Sequence, residues 1–136
     1  MQAWLIPYTP ALIAFALAGA LMLLQLLVAD LAAIRAHHPP GSPVATNHGD
    51  FLFRATRAHA NTNESIAVFL IAVSFGVLSA ASPSWINFLS GVYLVARTGH
   101  MLFYYLNLQL PRSLSFAASV LSLFGMLVTG ALAWLH

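Results

Sequence analysis

The sequence has no cysteine and no lysine, and almost no charge: five arginines stand against three acidic residues in 136, and charged side chains make up 6% of the chain. Without cysteine there is no disulfide, no thiolate metal site and no cysteine nucleophile. A soluble domain carries about 25% charged residues. A chain with so few, and with 60% hydrophobic residues, has no means of hiding its apolar surface in water. The composition predicts a single-domain integral membrane protein with no soluble appendage. A formal net charge of +2 is too small and too dispersed for nucleic acid. An all-arginine basic set suits carboxylates, which the planar guanidinium grips through two parallel hydrogen bonds. Positive charge is also missing ahead of the first apolar run. A secretory signal needs it, so residues 1–9 read as the approach to a membrane span.

What the chain has in quantity is long apolar runs, and these predict an all-α fold, a bundle of four transmembrane helices. The first span covers about Pro10 to Ala33, with Pro7 and Pro10 at its start, where a missing N–H costs little. Trp4 and Tyr8 suit an interfacial aromatic belt. Gln25, uncharged and deep in this span, is expected to bond a neighbouring helix. Arg35 to Gly49 is a loop, broken by Pro39, Pro40, Gly41 and Pro43. Asp50 is the expected N-cap of a second helix that runs to about Ala80. Ser82-Pro83-Ser84 forms a turn, and a third helix follows from Trp85 to about Asn107. After a connector, Leu108 to Pro111, Arg112 and Ser113 open the fourth span, Leu114 to Leu135, with Trp134 at its far interface. Arg35, Arg54, Arg57 and Arg112 all gather at the odd-numbered connections. The positive-inside rule therefore puts those connections in the cytoplasm and both termini outside.

The scarce polar residues are not scattered. Arg54, Arg57, Asn61 and Glu64 fall within an arc of about 80° on the second helix, with Asp50 on the same stripe and His59 nearly opposite. On the third helix Tyr93, Arg97, His100 and Tyr104 lie within about 60° of one another. The antiparallel order brings both sets to one depth, beside Arg112 and Ser113. Ionisable groups at that depth are expensive and mark function. Arginines select carboxylates, Glu64 suits an ammonium group, and a helix N-terminus beside Arg112 and Ser113 favours an anion, a thiolate included. The physical reading stops at a small polar anion. Glutathione, with two carboxylates, an amine and a thiol, fits it without being singled out.

The string Arg57-Ala58-His59-x-Asn61-x-x-Glu64, with Arg54 a turn earlier, resembles the signature of the MAPEG family, membrane-associated proteins of eicosanoid and glutathione metabolism. Arg97-x-x-His100-x-x-x-Tyr104 and Pro111-Arg112-Ser113 are similar to that family too, above all to its microsomal prostaglandin E synthase branch. The resemblance implies a homotrimer of four-helix protomers in a bacterial inner membrane, binding glutathione as cosubstrate between protomers near the cytoplasmic face. Lipophilic substrates would arrive from the bilayer. It assigns Arg54, Arg57, Asn61, Glu64, Arg97, His100 and Tyr104 to the tripeptide, with His59 in support. Arg112 and Ser113 would hold the thiolate. Ala60 stands where the prostaglandin branch has arginine, and the connector before Pro111 lacks that branch's basic residues. These departures point from eicosanoids to a general glutathione transferase or peroxidase. The alternative is a non-catalytic structural or glutathione-binding trimer.

Purely structural roles compete at each position. Arg54, Arg57 and Glu64 could be an interhelical ion-pair network, although buried ion pairs stabilise poorly. Arg112 would serve as a positive-inside anchor and Ser113 as an N-cap. His59 and His100 are expected to bond structurally and Tyr93 to pack. His37, His38, His48 and His136 lack ligand spacing, so no metal site is expected.

Overall fold

The structure, a computed structural model, describes residues 3–135; His136 lies outside them. A short 3-10 helix, Ala3–Tyr8, leads into α1, Thr9–Arg35. Then come α2 (Phe51–Leu78), α3 (Pro83–Tyr105) and α4 (Gln109–Trp134). Among the described residues, three stretches are long and apolar enough to cross a membrane: Ala3–Arg35, Phe51–Leu78 and Gln109–Trp134. By composition α3 falls short of that standard, because it carries Ser90, Arg97 and His100. All three of these are buried, whereas Phe88, Val95 and Leu102 face outward. Short turns tie α3 to α2 and α4, so it runs alongside them. Its polar groups are hidden from the lipid by the helices around it.

The helix boundaries follow from backbone chemistry at each end. Asp50 is the N-cap of α2 as its side chain suggests, accepting from Leu52 N–H at 3.0 Å. The sequence places the ends of α2 and α3 about two residues too late, at Ala80 and Asn107. Both residues instead take left-handed conformations, φ 51° and 58°, and close their helices. Ala81 N–H then bonds Gly76 O at 2.9 Å, and Leu108 N–H bonds Phe103 O at 2.8 Å. These are the six-to-one bonds of a Schellman ending. No glycine marks either closure, which is why the sequence hides them. At the start of α4 the helix begins at Gln109, so Pro111 and Arg112 lie in its first turn, where proline is tolerated, and Ser113 follows at the start of the second.

Close packing rests on small residues. α1 turns Ala11, Ala14, Ala18, Ala29 and Ala32 into the bundle at helical spacing, and α2 answers with Ala55, Ala58 and Ala72. Lipid tails are as apolar as leucine, so near approach of backbones must supply the attraction instead. Phe69 stacks on Tyr93 with ring centroids 4.1 Å apart. Tyr93 also meets Ser65 through a 2.9 Å hydroxyl pair, so the expected packing role comes with a hydrogen bond. On another seam, nearer the end of α2, α2 and α4 touch through glycines. A Cβ on Gly130 would sit 2.7 Å from the Phe75 ring and 3.4 Å from the Gly76 backbone.

The N-terminal end of α1 is capped from a distance. Tyr8, at the N-cap position, gives no side-chain cap. Asn87 of α3 accepts from Ala11 N–H at 3.1 Å and donates to Pro7 O at 2.8 Å. The Tyr8 hydroxyl donates to Ala81 O.

Two outcomes follow for the purified protein. Gly130→Leu overpacks the α2–α4 crossing and is expected to cost about 1–3 kcal/mol, lowering the thermal midpoint well below that of the exposed control Leu121→Ala. Asn87→Ala leaves Ala11 N–H without its acceptor and should cost about 1–3 kcal/mol, with faster amide exchange confined to the first turn of α1. Unchanged melting in both variants would contradict this packing.

Candidate functional site

Six polar and aromatic residues meet where α2, α3 and α4 come together, at the N-terminal end of α4. Asn61 of α2, His100 and Tyr104 of α3, and Arg112, Ser113 and Phe116 of α4 line a hollow of about 240 Å³. The Arg112 guanidinium lies over the Tyr104 ring, 4.4 Å from its centroid. That cation–π contact fixes the direction of the charge. His100 stands edge-on to Tyr104 at 5.0 Å and tilted against Phe116 at 6.0 Å. Tyr104 thus forms the hinge of the site, with Arg112 on its face and His100 at its side.

The unsatisfied atoms say what the hollow accepts. Arg112 Nη1, His100 Nδ1 and Asn61 Oδ1 are buried without a hydrogen-bond partner among the described residues. One of these is a cationic donor, one an acceptor, and the histidine nitrogen can serve as either. The start of α4 adds the positive end of a helix dipole. Ser113 does not act as an N-cap. It sits within the helix, and its hydroxyl donates to Gln109 O at 3.1 Å, leaving its oxygen lone pairs available. Anionic and zwitterionic groups of modest size match this set of partners.

The remaining residues of the α2 face do not enter the hollow. Arg54 donates through Nη1 to His48 O at 2.7 Å and lies 5.7 Å from the Phe51 centroid, which ties the loop to the helix. Arg57 is half-buried and Glu64 exposed, a turn before and a turn after Asn61. His59 points elsewhere, half-buried, with Nδ1 unpartnered. Arg97 is wholly buried, and its Nη2 donates to Thr62 Oγ1 at 3.2 Å. A bare charge at the middle of a membrane helix costs about 2.5–3.5 kcal/mol on insertion scales. One charge-assisted hydrogen bond returns about 1.5–3 kcal/mol, so Thr62 alone roughly balances that charge at best.

Sequence reasoning missed two members of this arrangement. Phe116 follows Arg112 by four residues, hence the same α4 face, and that spacing was available as a signal. Thr62 adjoins Asn61 but has no distinguishing feature until Arg97 is seen to reach it. On the far side of the α3–α4 seam lies a larger groove of about 810 Å³, lined by Phe88, Val92, Val95, Phe103 and Leu114 among others. It holds no ionisable group and so offers no chemistry of its own.

A search of curated proteins found no match for this chain. The model of the MAPEG family matches residues 10–132, almost the whole chain and every residue of the hollow. Members of that family are membrane proteins that act as glutathione transferases or peroxidases, or are related to them. With its helix bundle and the family match over 10–132, this chain belongs to the MAPEG family.

Proposed function

We propose that the hollow binds glutathione and that the protein is a glutathione-dependent transferase or peroxidase acting on a lipophilic electrophile. The observation that carries this reading is the Arg112 guanidinium, held on the Tyr104 ring with Nη1 unpaired, at the positive end of α4. A thiol has a pKa near 8.5, and adjacent cations lower it. Arg112 would stabilise the thiolate, and the Ser113 oxygen lies on the same turn. The thiol proton leaves to solvent. The sulfur lone pair then forms the new bond to an electrophilic carbon as the leaving group departs with its own pair. His100 and Asn61 would hold the peptide portion.

The size of the hollow supports a shared site. Ligand pockets for small molecules usually occupy about 300–1,000 Å³, and one protomer supplies about 240 Å³. Arg57, half-buried, and Glu64, exposed, lie on the same α2 face outside the hollow. Leaving them against lipid would be costly. A second copy covering that face would enlarge the site and add the two charged groups to it. This is the homotrimer, with glutathione between protomers, that the sequence motifs suggest. On the positive-inside topology the hollow opens near the cytoplasmic face.

Purified protein in detergent should conjugate a generic electrophile with glutathione. Arg112→Ala should lower kcat by about 10²–10³-fold, the usual effect of removing one anion-stabilising donor, with a smaller change in glutathione affinity. Binding without turnover across a broad electrophile panel would replace the enzyme with a non-catalytic glutathione-binding protein. Absence of binding would remove the reading altogether.

A further inference from the structure

One carboxylate stands where its own chain offers it no partner. Asp30 lies on α1, about 7.5 Å along the axis from the end of the helix at Arg35. Leu23, Leu27, Asp30 and Ile34 follow one another at intervals of four, three and four, so the carboxylate belongs to an otherwise aliphatic face. All four residues are exposed on the protomer. Aspartate has a single methylene and cannot reach out to the headgroups as arginine does. A charge on the outer face of a membrane helix is costly without a partner. Among the described residues Asp30 makes no hydrogen bond or ion pair. Ala29 and Ala32 pack towards α2, and Asp30 is turned about 100° from the first and about 160° from the second.

Arg57 has the same difficulty with the opposite sign. It too makes no hydrogen bond or ion pair among the described residues. On α2, Leu52 packs with α1 and Thr62 meets Arg97 of α3. Arg57 points about 140° away from each. The other arginines around the site are engaged: Arg54 with the His48 carbonyl, Arg97 with Thr62 and the charge of Glu64, Arg112 with the Tyr104 ring.

The two unpaired charges lie at one depth. α1 and α2 run antiparallel. Ala18 shares one core cluster with Phe69, and Ala32 shares another with Ala55. By that register Asp30, two residues before Ala32, is level with Arg57, two residues after Ala55. Symmetric copies inserted with one topology are related by rotation about the membrane normal. Such a rotation leaves depth unchanged, so Asp30 of one copy is level with Arg57 of the next.

We propose that the outer face of α1 docks on the polar face of α2 in a second copy of this chain, with Asp30 of one protomer paired to Arg57 of its neighbour. The contact is head-to-tail, and rotation about a single axis closes it into a ring. It rests on the reading of a site shared between protomers and names a residue that the second copy brings to it. Arg57 stands one turn before Asn61, at the margin of the hollow. A guanidinium has five N–H donors, so Asp30 can hold one edge of it while the rest stay free for a ligand. Asp30 is thus a positioning residue for Arg57.

The chain has no cysteine, so introduced cysteines report the contact cleanly. Full-length chains carrying Asp30→Cys and chains carrying Arg57→Cys, with different tags, are co-expressed and treated in membranes with a short bismaleimide. A link between the two tags can only join two copies. It is expected as the main product, and is expected to vanish when Asp30→Cys is replaced by Leu17→Cys, about 20 Å away along the same helix. Equal linkage from both positions, or none from either, overturns the proposal. Exchanging the charges tests the pair without cysteines. Asp30→Arg and Arg57→Asp should each weaken assembly in detergent about tenfold or more, and the double exchange should restore it. A double exchange no better associated than the single variants overturns the pair, as does a monomeric wild type. Linkage in a protein that fails to bind glutathione supports the contact and removes only the glutathione reading. Glutathione binding by a monomer does the reverse.

Discussion

A guanidinium sealed inside a membrane-embedded bundle sets the terms for the rest of this protein. Arg97 has no exposed surface and, among the described residues, one hydrogen bond, to Thr62. In lipid no bulk water is at hand to compensate, so the polar groups that accompany it must also turn inward. Ser90, His100 and Gln25 do so, while the outer faces of the helices carry Leu23, Ile71, Phe88, Val95 and Leu121. This division allows α3, too polar to qualify as a span by composition, to lie among three helices that do qualify. The alanines and glycines at the crossings follow from the same need. Only close backbone approach keeps the polar interior shut against lipid.

From that interior the polar side of the bundle continues along α3 to the start of α4. Arg97, His100 and Tyr104 follow one another on one face of α3, and the last two reach the hollow that Arg112 closes. The deep position is sealed and the shallow one is open. The division keeps a charged interior closed and leaves polar groups accessible at one end. The aromatic faces of Tyr104 and Phe116 give the open end an apolar wall beside its cation. A thiolate meeting a lipophilic electrophile needs both.

Much of this was legible in the sequence, for reasons that can be named. Apolar runs of span length gave the helices. Asp50 gave the start of α2 because a carboxylate at an N-cap has a local partner. The four-three-four spacing from Tyr93 to Tyr104 gave the buried face of α3, and the match of the family model over residues 10–132 agrees with the motif reading. Other features depend on contacts between distant segments. Asn87 capping α1 across the bundle joins residues 76 positions apart, and nothing local announces it. The helix ends at Ala80 and Asn107 lack the glycine that usually marks a left-handed closure. The α2 stripe predicted a single polar face, yet only Asn61 of its residues enters the hollow. Arg54 is drawn away to the His48 carbonyl, and neither half-buried Arg57 nor exposed Glu64 lines the hollow. Periodicity fixes which side of a helix a residue occupies; neighbouring helices decide what it meets there.

On the proposed function, a cation at the start of α4, steadied by an aromatic ring, lowers the proton affinity of a bound thiol. The most direct measurement is the ultraviolet thiolate absorbance that develops when glutathione is added to the detergent-solubilised protein at neutral pH, compared with Arg112→Gln. A saturable thiolate band is expected in the wild type and its loss in the variant, with the tripeptide still bound. Glutathione that binds wholly as thiol, or a thiolate band of equal strength without the Arg112 guanidinium, would contradict it.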